Sequence, residues 1–332
     1  MNLSIIIVNY NSADLTCNCL NAIFSGQGPD ALEVIVVDNF SQDDSEIKIK
    51  RSFPQVRWLQ MGYNSGFSRA NNAGIREARG KLVLLLNSDT LNENNTIEQC
   101  AERFVNSNNV ACGIQLLNPD RSPQISGSYF ITGGVNQLLM LPFVGKLIRR
   151  LALTVGVKRT NVPEATGIVE VDWINGAFLM VKKEAIEKAG LLDEDFFLYF
   201  EEIEWCSRLR EIGKMCIYGD LRIIHLMGAT TDKVFETTTR GYDSLFDQKG
   251  LQIMVSALLR IRKQYGVGWL LFHLLCYLLT VPIFFVYTIF SLPFKKNENP
   301  LRQFGGFTIN CLKLVLMSSK MIRNKPYFYK ML

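Results

Sequence analysis

Short runs of apolar residues alternate with segments of mixed polarity through the first 120 residues of the chain. The first run lacks polar alternation, a pattern typical of a strand that is buried on both faces. The predicted strands cover residues 3–8, 34–37, 56–59 and 82–86. The predicted helices between them cover residues 14–24, 42–51 and 66–79. This β-α-β-α-β-α-β order predicts an α/β fold with a doubly wound, mainly parallel sheet that binds ligands at the carboxyl ends of its strands.

The middle of the chain is patterned less regularly. Residues 138–150 mix apolar and basic side chains, which indicates either a surface helix with a solvated basic face or a lid that touches an acceptor or a membrane. Regular patterns return from residue 167 onward, with a predicted helix over residues 184–190 and an amphipathic helix over residues 200–212. The irregular stretch therefore interrupts an otherwise continuous α/β pattern.

An apolar stretch without a formal charge covers residues 267–294 and is long enough to span a bilayer. Pro282 lies inside it, and residues 295–332 carry eight Lys and Arg against one Glu. A single span would place that basic tail opposite a cytoplasmic body, against the usual distribution of positive charge. We favour a helical hairpin that breaks near Pro282, or an in-plane helix pair, because both keep the basic flanks at one anionic leaflet. A buried helix pair of a soluble protein is the third alternative.

Composition narrows the possible classes of protein. A chain of 332 residues with 48% hydrophobic and 20% charged residues is not a disordered protein. The net charge of +5 comes from the tail, because the first 294 residues carry −2, and a nucleic-acid-binding surface is therefore not expected. The eight cysteines form no CxxC pair and the N-terminus has no signal-peptide pattern, which indicates free thiols in a reducing cytosolic setting.

Polar residues follow the predicted strands at the edge where a ligand would bind. They are Asn9, Tyr10 and Asn11 after the first strand, Asp38 after the second, and Asn87 and Asp89 after the fourth. The glycine fingerprints of dinucleotide and P-loop phosphate sites are missing, which argues against a dehydrogenase or a P-loop enzyme. A carboxylate at the end of a buried strand can ligate a hard divalent cation that bridges a diphosphate, although it can also cap the next helix.

A second cluster of candidate residues lies at the start of the predicted helix over residues 200–212. Glu201 and Glu204 share one face of that helix, and Glu202 points elsewhere. A carboxylate sheltered by the preceding aromatic residues is suited to act as a general base, whereas a solvated acidic first turn favoured by the helix dipole is the simpler alternative. His225 ends another apolar run, and on its own a buried structural role would suit it as well as metal ligation.

Taken in order, these motifs resemble the family 2 glycosyltransferases of the GT-A fold, in particular the rhamnosyltransferase-like branch of bacterial surface-polysaccharide and O-antigen synthesis. The likeness covers residues 3–231. The motifs that carry it are residues 5–11 (IIIVNYN), 36–39 (VVDN), 64–67 (NSGF), 70–74 (ANNAG), 85–89 (LLNSD), 171–178 (VDWINGAF), 197–202 (FLYFEE) and 225–228 (HLMG).

The resemblance implies a role for each matching residue. Nucleotide and donor binding is implied for Asn9, Tyr10, Asn11, Asp38, Asn64, Gly66, Asn87 and Asp89. The sugar and acceptor pocket is implied for Trp173, Asn175 and Gly176, and a divalent cation, Mg²⁺ or Mn²⁺, is implied at Asp89 and His225. Glu202 falls where the family usually has an Asp as general base.

Two departures from the family pattern qualify these roles. The metal motif reads Asn-Ser-Asp and ends at Asp89, so a single carboxylate remains and diphosphate and water would supply much of the coordination. The expected base is a Glu, one methylene longer than Asp, which makes Glu201 a possible substitute for Glu202.

The resemblance implies an inverting hexosyltransferase that moves rhamnose from dTDP-rhamnose to a polyprenyl-diphosphate-linked saccharide at the cytoplasmic face of the bacterial inner membrane. Another donor with a UDP carrier (galactose, galactofuranose or N-acetylglucosamine) and a non-catalytic membrane scaffold are the alternatives. The implied organisation is a nucleotide-sugar half (1–125), a basic insertion or lid (126–165), an acceptor and catalytic half (166–260), a membrane segment (266–294) and a basic tail (295–332).

Overall fold

A computed structural model describes residues 2–25, 32–154, 156, 159–226, 245–291 and 299–331 of the chain. The chain divides into two compact units. The first consists of Met1–Tyr129, Asn161–Phe197 and Glu201–Val234, and the second consists of Phe130–Thr160, Leu198–Phe200 and Phe235–Leu332. The residues around 130–160, which stand out in the sequence as an insertion, therefore belong to the same unit as the C-terminal part of the chain.

The first unit is built on a sheet that begins with four parallel strands. These are β1 (Leu3–Asn9), β2 (Glu33–Asp38), β3 (Arg57–Gln60) and β4 (Leu82–Asn87), in the spatial order β3-β2-β1-β4. The residues of β2 and nearly all of β1 are buried, as their unbroken apolar runs predict. Parallel pairing brings Asn9 beside Asp38 at the carboxyl edge of the sheet.

Eight further strands complete the described β structure. They are β5 (Thr90–Leu91), β6 (Ala111–Leu117), β7 (Gly127–Ser128), β8 (Asn161–Val162), β9 (Ile168–Val171), β10 (Trp173–Ile174), β11 (Phe178–Lys182) and β12 (Met215–His225). The large sheet continues from β4 in the order β11-β6-β12-β5, with β9 paired to β12, and a small sheet has the order β10-β7-β8. Because β11 is antiparallel to both β4 and β6, strands β6 and β12 run in the same direction as β1–β4. The predicted α/β fold with a mainly parallel sheet is confirmed.

The first seven described α-helices precede β12 in the chain. They are α1 (Ala13–Phe24), α2 (Ser45–Ser52), α3 (Gly66–Glu77), α4 (Thr96–Val105), α5 (Val144–Thr154), α6 (Lys183–Ala189) and α7 (Glu201–Ile212), of which α5 belongs to the second unit. Helix α2 begins three residues later than predicted, because the backbone amides of Ser41 and Gln42 donate to side chains of the ligand edge instead of continuing a helix. Helix α3 ends before Ala78, whose backbone is extended.

The second unit consists of helices in its described part. A kinked 3₁₀ segment (Thr132–Met140) and α5 are joined by α8 (Gln248–Tyr265), α9 (Val267–Ser291) and α10 (Pro300–Arg323). Among the described residues, α9 is the one helix long and apolar enough to cross a bilayer, with a mean hydropathy of 2.2 over its most apolar stretch.

The expected hairpin that breaks near Pro282 is wrong, because α9 runs without interruption from Val267 to Ser291. A proline removes a single backbone donor from a helix, and the surrounding turns keep theirs. A buried stripe holds the helix on both sides of Pro282, with Tyr277 before it and Phe284 after it. The basic tail forms α10 over much of its length.

Candidate active site

The side chain of Asn9, at the end of β1, makes four hydrogen bonds to neighbouring side chains. Its Nδ2 donates to Asp38 Oδ1 at 2.8 Å and to Ser41 Oγ at 3.0 Å. Its Oδ1 accepts from Ser12 Oγ at 3.0 Å and from Thr16 Oγ1 at 2.7 Å. Because both hydrogens and both lone-pair directions of this buried amide are engaged, Asn9 holds Asp38 in place.

Asp38 is the carboxylate of the β2 end, and the chain around it is tied down by hydrogen bonds. Its Oδ2 accepts from Ser41 N at 2.9 Å and from Gln60 Nε2 at 2.8 Å. Asn11 has a left-handed backbone conformation. Its side-chain Oδ1 accepts from Gln42 N at 2.7 Å, and its backbone N donates to Ser41 Oγ at 2.9 Å. The loops after β1 and β2 therefore form one connected edge, with Tyr10 half-buried between Asn9 and Asn11.

Asn39, which follows Asp38, links this edge to the loop before α3. Its Oδ1 accepts from Ser65 N at 2.8 Å and Ser65 Oγ at 2.7 Å, and its Nδ2 donates to Asn64 Oδ1 at 3.1 Å. The sequence places Asn39 with Asp38 at the end of the second strand, but sequence reasoning assigned it no role in the site. The bonds place Asn64 and Gly66 at the same edge as Asp38.

Gly66 starts α3 at a point where two segments of the chain nearly touch. Its φ is +75°, and a Cβ on it would lie 2.3 Å from the backbone oxygen of Phe197. The next amide, of Phe67, donates to that same oxygen at 2.8 Å. This close approach brings the loop before α3 against the segment that leads into the acidic helix α7.

Gly66→Ala should therefore destabilise the protein strongly, by about 2 kcal/mol or more. The cost of a left-handed backbone conformation for alanine adds to the cost of the steric overlap between its Cβ and Phe197. The matched control is Gly62→Ala, four residues earlier, where a Cβ would have no neighbour within 4 Å. We expect thermal unfolding to shift down by several degrees for Gly66→Ala and to stay nearly unchanged for Gly62→Ala. Equal shifts for the two variants would show that the close approach is not formed.

Asp89 and His225 meet although 136 positions separate them in the sequence. Strand β12 pairs antiparallel with β5, which places His225 opposite Thr90 and next to Asp89. The Nε2 atom of His225 lies 3.4 Å from Asp89 Oδ1 and 3.4 Å from Asn87 Nδ2, and both Asp89 and His225 are buried. A carboxylate oxygen and an imidazole nitrogen at this separation can ligate one divalent cation.

Gln124 fixes the nitrogen of His225 that carries the proton. Sequence reasoning did not identify Gln124 as a site residue. Its Nε2 donates to the backbone oxygen of His225 at 2.8 Å and to Asn118 Oδ1 at 2.8 Å, so its Oε1 is the atom 2.9 Å from His225 Nδ1. Nδ1 therefore carries the proton, and Nε2 presents a lone pair towards Asp89. The turn that brings Gln124 to His225 has no signature in the sequence.

The donor set fits a cation that is held only in part by protein. Among the residues that the structure describes, no third His, Cys, Asp or Glu forms a cluster with Asp89 and His225. The remaining coordination positions would then belong to diphosphate oxygens and water, which suit Mg²⁺ and Mn²⁺.

The three glutamates at the start of α7 have three different environments. Glu204 is buried in a forked ion pair with Arg208, with contacts of 2.9 and 2.7 Å, and is structural. Glu201 is also buried, and its Oε2 has no hydrogen-bond partner among the described residues. Burial, and then the charge of Glu202, raise the pKa of the Glu201 carboxyl well above its usual range. Both effects favour the neutral form of Glu201.

Glu202 is half-buried and lies against Gly176. A Cβ on Gly176 would lie 3.4 Å from Cγ and 3.8 Å from Cδ of Glu202, so the glycine leaves room beside this carboxylate. The backbone oxygen of Ala177, the next residue, accepts from Asn87 N at 3.1 Å. The turn at Gly176 therefore connects Glu202 to the strand end that also carries Asp89.

Trp173 and Asn175 shape the same turn. Trp173 lies in β10 and pairs with Ser128, and its indole nitrogen has no hydrogen-bond partner within the described part of the chain. Asn175 closes the turn, since its Oδ1 accepts from Ala177 N at 3.0 Å and its Nδ2 donates to Ile125 O at 3.2 Å. The structure therefore gathers one group of predicted residues around Asp38, at the ends of β1 and β2. It forms two further pairs, Asp89 with His225 and Gly176 with Glu202, which are linked through the bond between Ala177 and Asn87 at the end of β4, the neighbour of β1.

Comparison with known proteins identifies a domain in the N-terminal part of the chain. Residues 4–154 match the sequence profile described as Glycosyl transferase family 2. The chain carries a family 2 glycosyltransferase domain. This transferase domain includes Asn9, Asp38 and Asp89, whereas Glu202 and His225 lie beyond the matched range.

Three curated relatives are similar to more than half of the chain. The low-salt glycan biosynthesis hexosyltransferase Agl10 of Haloferax volcanii is 32% identical over 63% of this chain and 61% of its own length. The dTDP-rhamnosyl transferase RfbF of Shigella flexneri is 24% identical over 70% of this chain and 72% of its own length. The N-acetylglucosaminyl-diphospho-decaprenol L-rhamnosyltransferase of Mycobacterium tuberculosis is 26% identical over 56% of this chain and 64% of its own length. The match thus spans less than two thirds of two of these three relatives.

Solved structures show the shared fold. The mannosyltransferase PcManGT of Pyrobaculum calidifontis, in complex with GDP-Man and Mn²⁺, matches with a TM-score of 0.53 and 15% identity over 96% of this chain and 87% of its own. TarS 1-349 of S. aureus matches with a TM-score of 0.50 and 15% identity over 96% of this chain and 81% of its own. The expected GT-A type fold of the transferase domain is confirmed.

Proposed function

We propose that this chain is an inverting glycosyltransferase that moves rhamnose from dTDP-rhamnose to a lipid-linked saccharide during synthesis of a cell-surface polysaccharide. Two of the relatives carry rhamnosyltransferase names, one with a dTDP donor and one with a decaprenol-linked acceptor, which supports this donor and this acceptor class. The observation that carries the proposal is the Glu202 carboxylate beside Gly176, in a turn that is hydrogen-bonded to the end of β4, just before Asp89 and its partner His225.

In this proposal Glu202 is the general base. Its carboxylate accepts the proton of the acceptor hydroxyl while that oxygen forms a bond to the anomeric carbon and the bond to the diphosphate breaks. Asp38, fixed by Asn9 and Gln60, holds the nucleoside, and the Asn64–Gly66 loop lines the same pocket. Trp173, Asn175 and Gly176 border the sugar and acceptor. Glu201 stays protonated and takes no part in the proton transfer.

A divalent cation, Mg²⁺ or Mn²⁺, would be held by Asp89 and His225 and would supply positive charge to the leaving diphosphate. The solved mannosyltransferase of the same fold contains Mn²⁺, which supports a cation in this chain. Gln124 prepares the ligand, because it keeps the proton of His225 on Nδ1.

Gln124→Met should lower the affinity for Mn²⁺ in the presence of dTDP about 10- to 100-fold, because the tautomer and orientation of His225 are no longer fixed. Gln252→Met is the matched control, since Gln252 is also buried and makes three hydrogen bonds, in the second unit. We would measure free Mn²⁺ by electron paramagnetic resonance and the His225 tautomer by ¹⁵N NMR. An unchanged Mn²⁺ affinity with a changed tautomer would remove Gln124 from this role.

Alternative functions for the same site differ from this proposal in the sugar donor or in having no catalytic activity. The structurally similar enzymes include one solved with GDP-Man and one solved with UDP-GlcNAc, so UDP-galactose, UDP-galactofuranose and UDP-GlcNAc remain alternative donors within this fold. A non-catalytic scaffold is the second candidate, and the Asn-Ser-Asp motif and the Glu in place of Asp favour it. The buried, oriented Asp89–His225 pair favours an enzyme.

Membrane association completes the proposal. The apolar helix α9 and the decaprenol-linked acceptor named for one relative support a location at the cytoplasmic face of the bacterial inner membrane. A lipid-linked acceptor would then reach the site from the bilayer in which it is anchored.

The test is turnover by the purified full-length chain. Each of dTDP-rhamnose, UDP-galactose, UDP-galactofuranose and UDP-GlcNAc is incubated with polyprenyl-diphosphate N-acetylglucosamine and Mn²⁺, and the product is analysed by mass spectrometry and NMR. We expect transfer from dTDP-rhamnose with inversion at the anomeric carbon. Transfer from another donor alone would correct the sugar, and no turnover of any donor by folded protein would favour the scaffold.

A further inference from the structure

Exposed apolar side chains are concentrated on three helices of the second unit. Of the 27 large hydrophobic residues that are exposed in the described part of the chain, 19 lie on α5, α9 and α10. In α9 the polarity is inverted, because its polar residues His273, Thr280 and Thr288 are buried while Leu279 and Phe290 are 56% and 73% exposed. A soluble protein rarely leaves such a large apolar patch in contact with water.

The three helices are neighbours within the second unit. Helices α9 and α10 are antiparallel neighbours, since Phe284 contacts Phe307 with 5.5 Å between ring centroids while Tyr277, earlier in α9, contacts Cys311, later in α10. Phe143, directly before α5, stacks on Tyr287 of α9 at 3.7 Å. We call the exposed faces of α5, α9 and α10 together the docking face.

The docking face is strongly basic. The helices α5, α9 and α10 carry seven exposed Lys and Arg and no Asp or Glu. On α5, Lys146, Arg149 and Arg150 surround exposed Leu147 and Leu151. Apolar side chains flanked by basic ones fit the interface of a bilayer that contains anionic lipid.

The positions of the charges on α10 define its orientation. Exposed Arg302, Lys313 and Lys320 are eleven and seven residues apart, so they form a row along one side of the helix. Next to this row lies a stripe of exposed apolar residues, Ile309, Leu312 and Leu316. A spanning helix carries its charges near its ends, whereas a helix that lies in the interface carries them along its length.

From these observations we infer that the docking face lies flat on an anionic leaflet, with α9 and α10 parallel to the membrane plane, and that neither helix spans it. Lys313 follows Cys311, which contacts α9 at Tyr277, in the middle part of that helix. A spanning α9 would therefore carry an exposed lysine into the hydrocarbon region, which is unfavourable. The inference rests on the membrane association proposed above and specifies its mode.

The first test compares binding to vesicles of phosphatidylcholine alone with binding to vesicles that contain 30% phosphatidylglycerol. Each basic residue near an anionic surface contributes roughly fivefold to partitioning, so Arg302→Glu/Lys313→Glu should reduce binding to the anionic vesicles at least about 20-fold. The matched control, Lys81→Glu/Lys188→Glu, reverses two exposed lysines of the first unit and should change binding less than threefold. Equal binding to both kinds of vesicle, or equal loss in both variants, would overturn the inference.

The second test separates a flat orientation from a span. Asn299→Cys, before α10, and Lys325→Cys, after it, are both exposed positions. In sealed vesicles a membrane-impermeant maleimide should label both variants from outside, because both ends of α10 stay on one side. A spanning α9 would protect Asn299→Cys until detergent is added, and that result would contradict the inference. A lipid-independent dimer that covers the docking face, seen by light scattering, would contradict it as well. Vesicle binding needs no sugar donor, so a wrong donor assignment leaves both tests valid.

Discussion

Glu202→Gln should reduce sugar transfer at least about 100-fold, because the amide cannot accept the proton of the acceptor hydroxyl. Gln has nearly the same size as Glu, so the space beside Gly176 is kept. We therefore expect the affinities for dTDP and Mn²⁺ to stay within about twofold of those of the unmodified protein, because neither the residues around Asp38 nor the Asp89–His225 pair changes. Initial rates of transfer and nucleotide titrations measure the two quantities separately.

The neighbouring glutamate supplies the control for this result. Glu201 is buried, and its raised pKa favours the neutral carboxyl, so Glu201→Gln should replace an uncharged side chain by another of similar shape. Transfer by Glu201→Gln should stay within about threefold of the unmodified protein. If Glu201→Gln loses activity and Glu202→Gln keeps it, the two roles are reversed. Full activity in both variants would remove α7 from the proton transfer.

Asp89→Asn should have the second-largest effect, because it removes the only carboxylate of the proposed cation site. A bound divalent cation stabilises the charge that develops on the leaving diphosphate by several kcal/mol. We therefore expect the stimulation of sugar transfer by Mn²⁺ to fall at least about 100-fold. Nucleotide binding without a cation should change little, since Asp38 and its partners are untouched. Isothermal titration with dTDP, with and without Mn²⁺, measures both effects.

Asp120→Asn is the matched control for that substitution. Asp120 is an exposed turn residue whose carboxylate accepts from Ser122, an interaction that Asn can also make. It should leave the response to Mn²⁺ unchanged. If Asp89→Asn retains the full response, the cation is bound elsewhere or the reaction does not use one.

Local patterns were sufficient to predict the four strands that begin the sheet and the polar residues that follow three of them. The unbroken apolar runs of β1, β2 and β4 are buried strands, and the polar residues directly after them meet at one edge because parallel strands end together. The helical period of α7 separated the buried Glu201 and Glu204 from Glu202. Each of these features is determined by residues that are close together in the sequence, so a local pattern is enough to predict it.

Contacts between distant segments were beyond the reach of patterns. Gln124 reaches His225 through a turn without a sequence signature, and Gly66 meets Phe197 across 131 positions. The continuous α9 was mispredicted for a related reason. The proline rule describes an isolated helix, whereas packing of Tyr277 and Phe284 on either side of Pro282 stabilises this one. Tertiary contacts decide each of these features.

The most direct test of the central claim, a nucleoside-diphosphate site at the strand ends, is a titration of the full-length chain with dTDP, UDP and GDP, each with and without Mn²⁺. We predict binding that strengthens at least tenfold with Mn²⁺ and favours dTDP. Folded protein that binds none of the three, with or without the cation, would contradict the account.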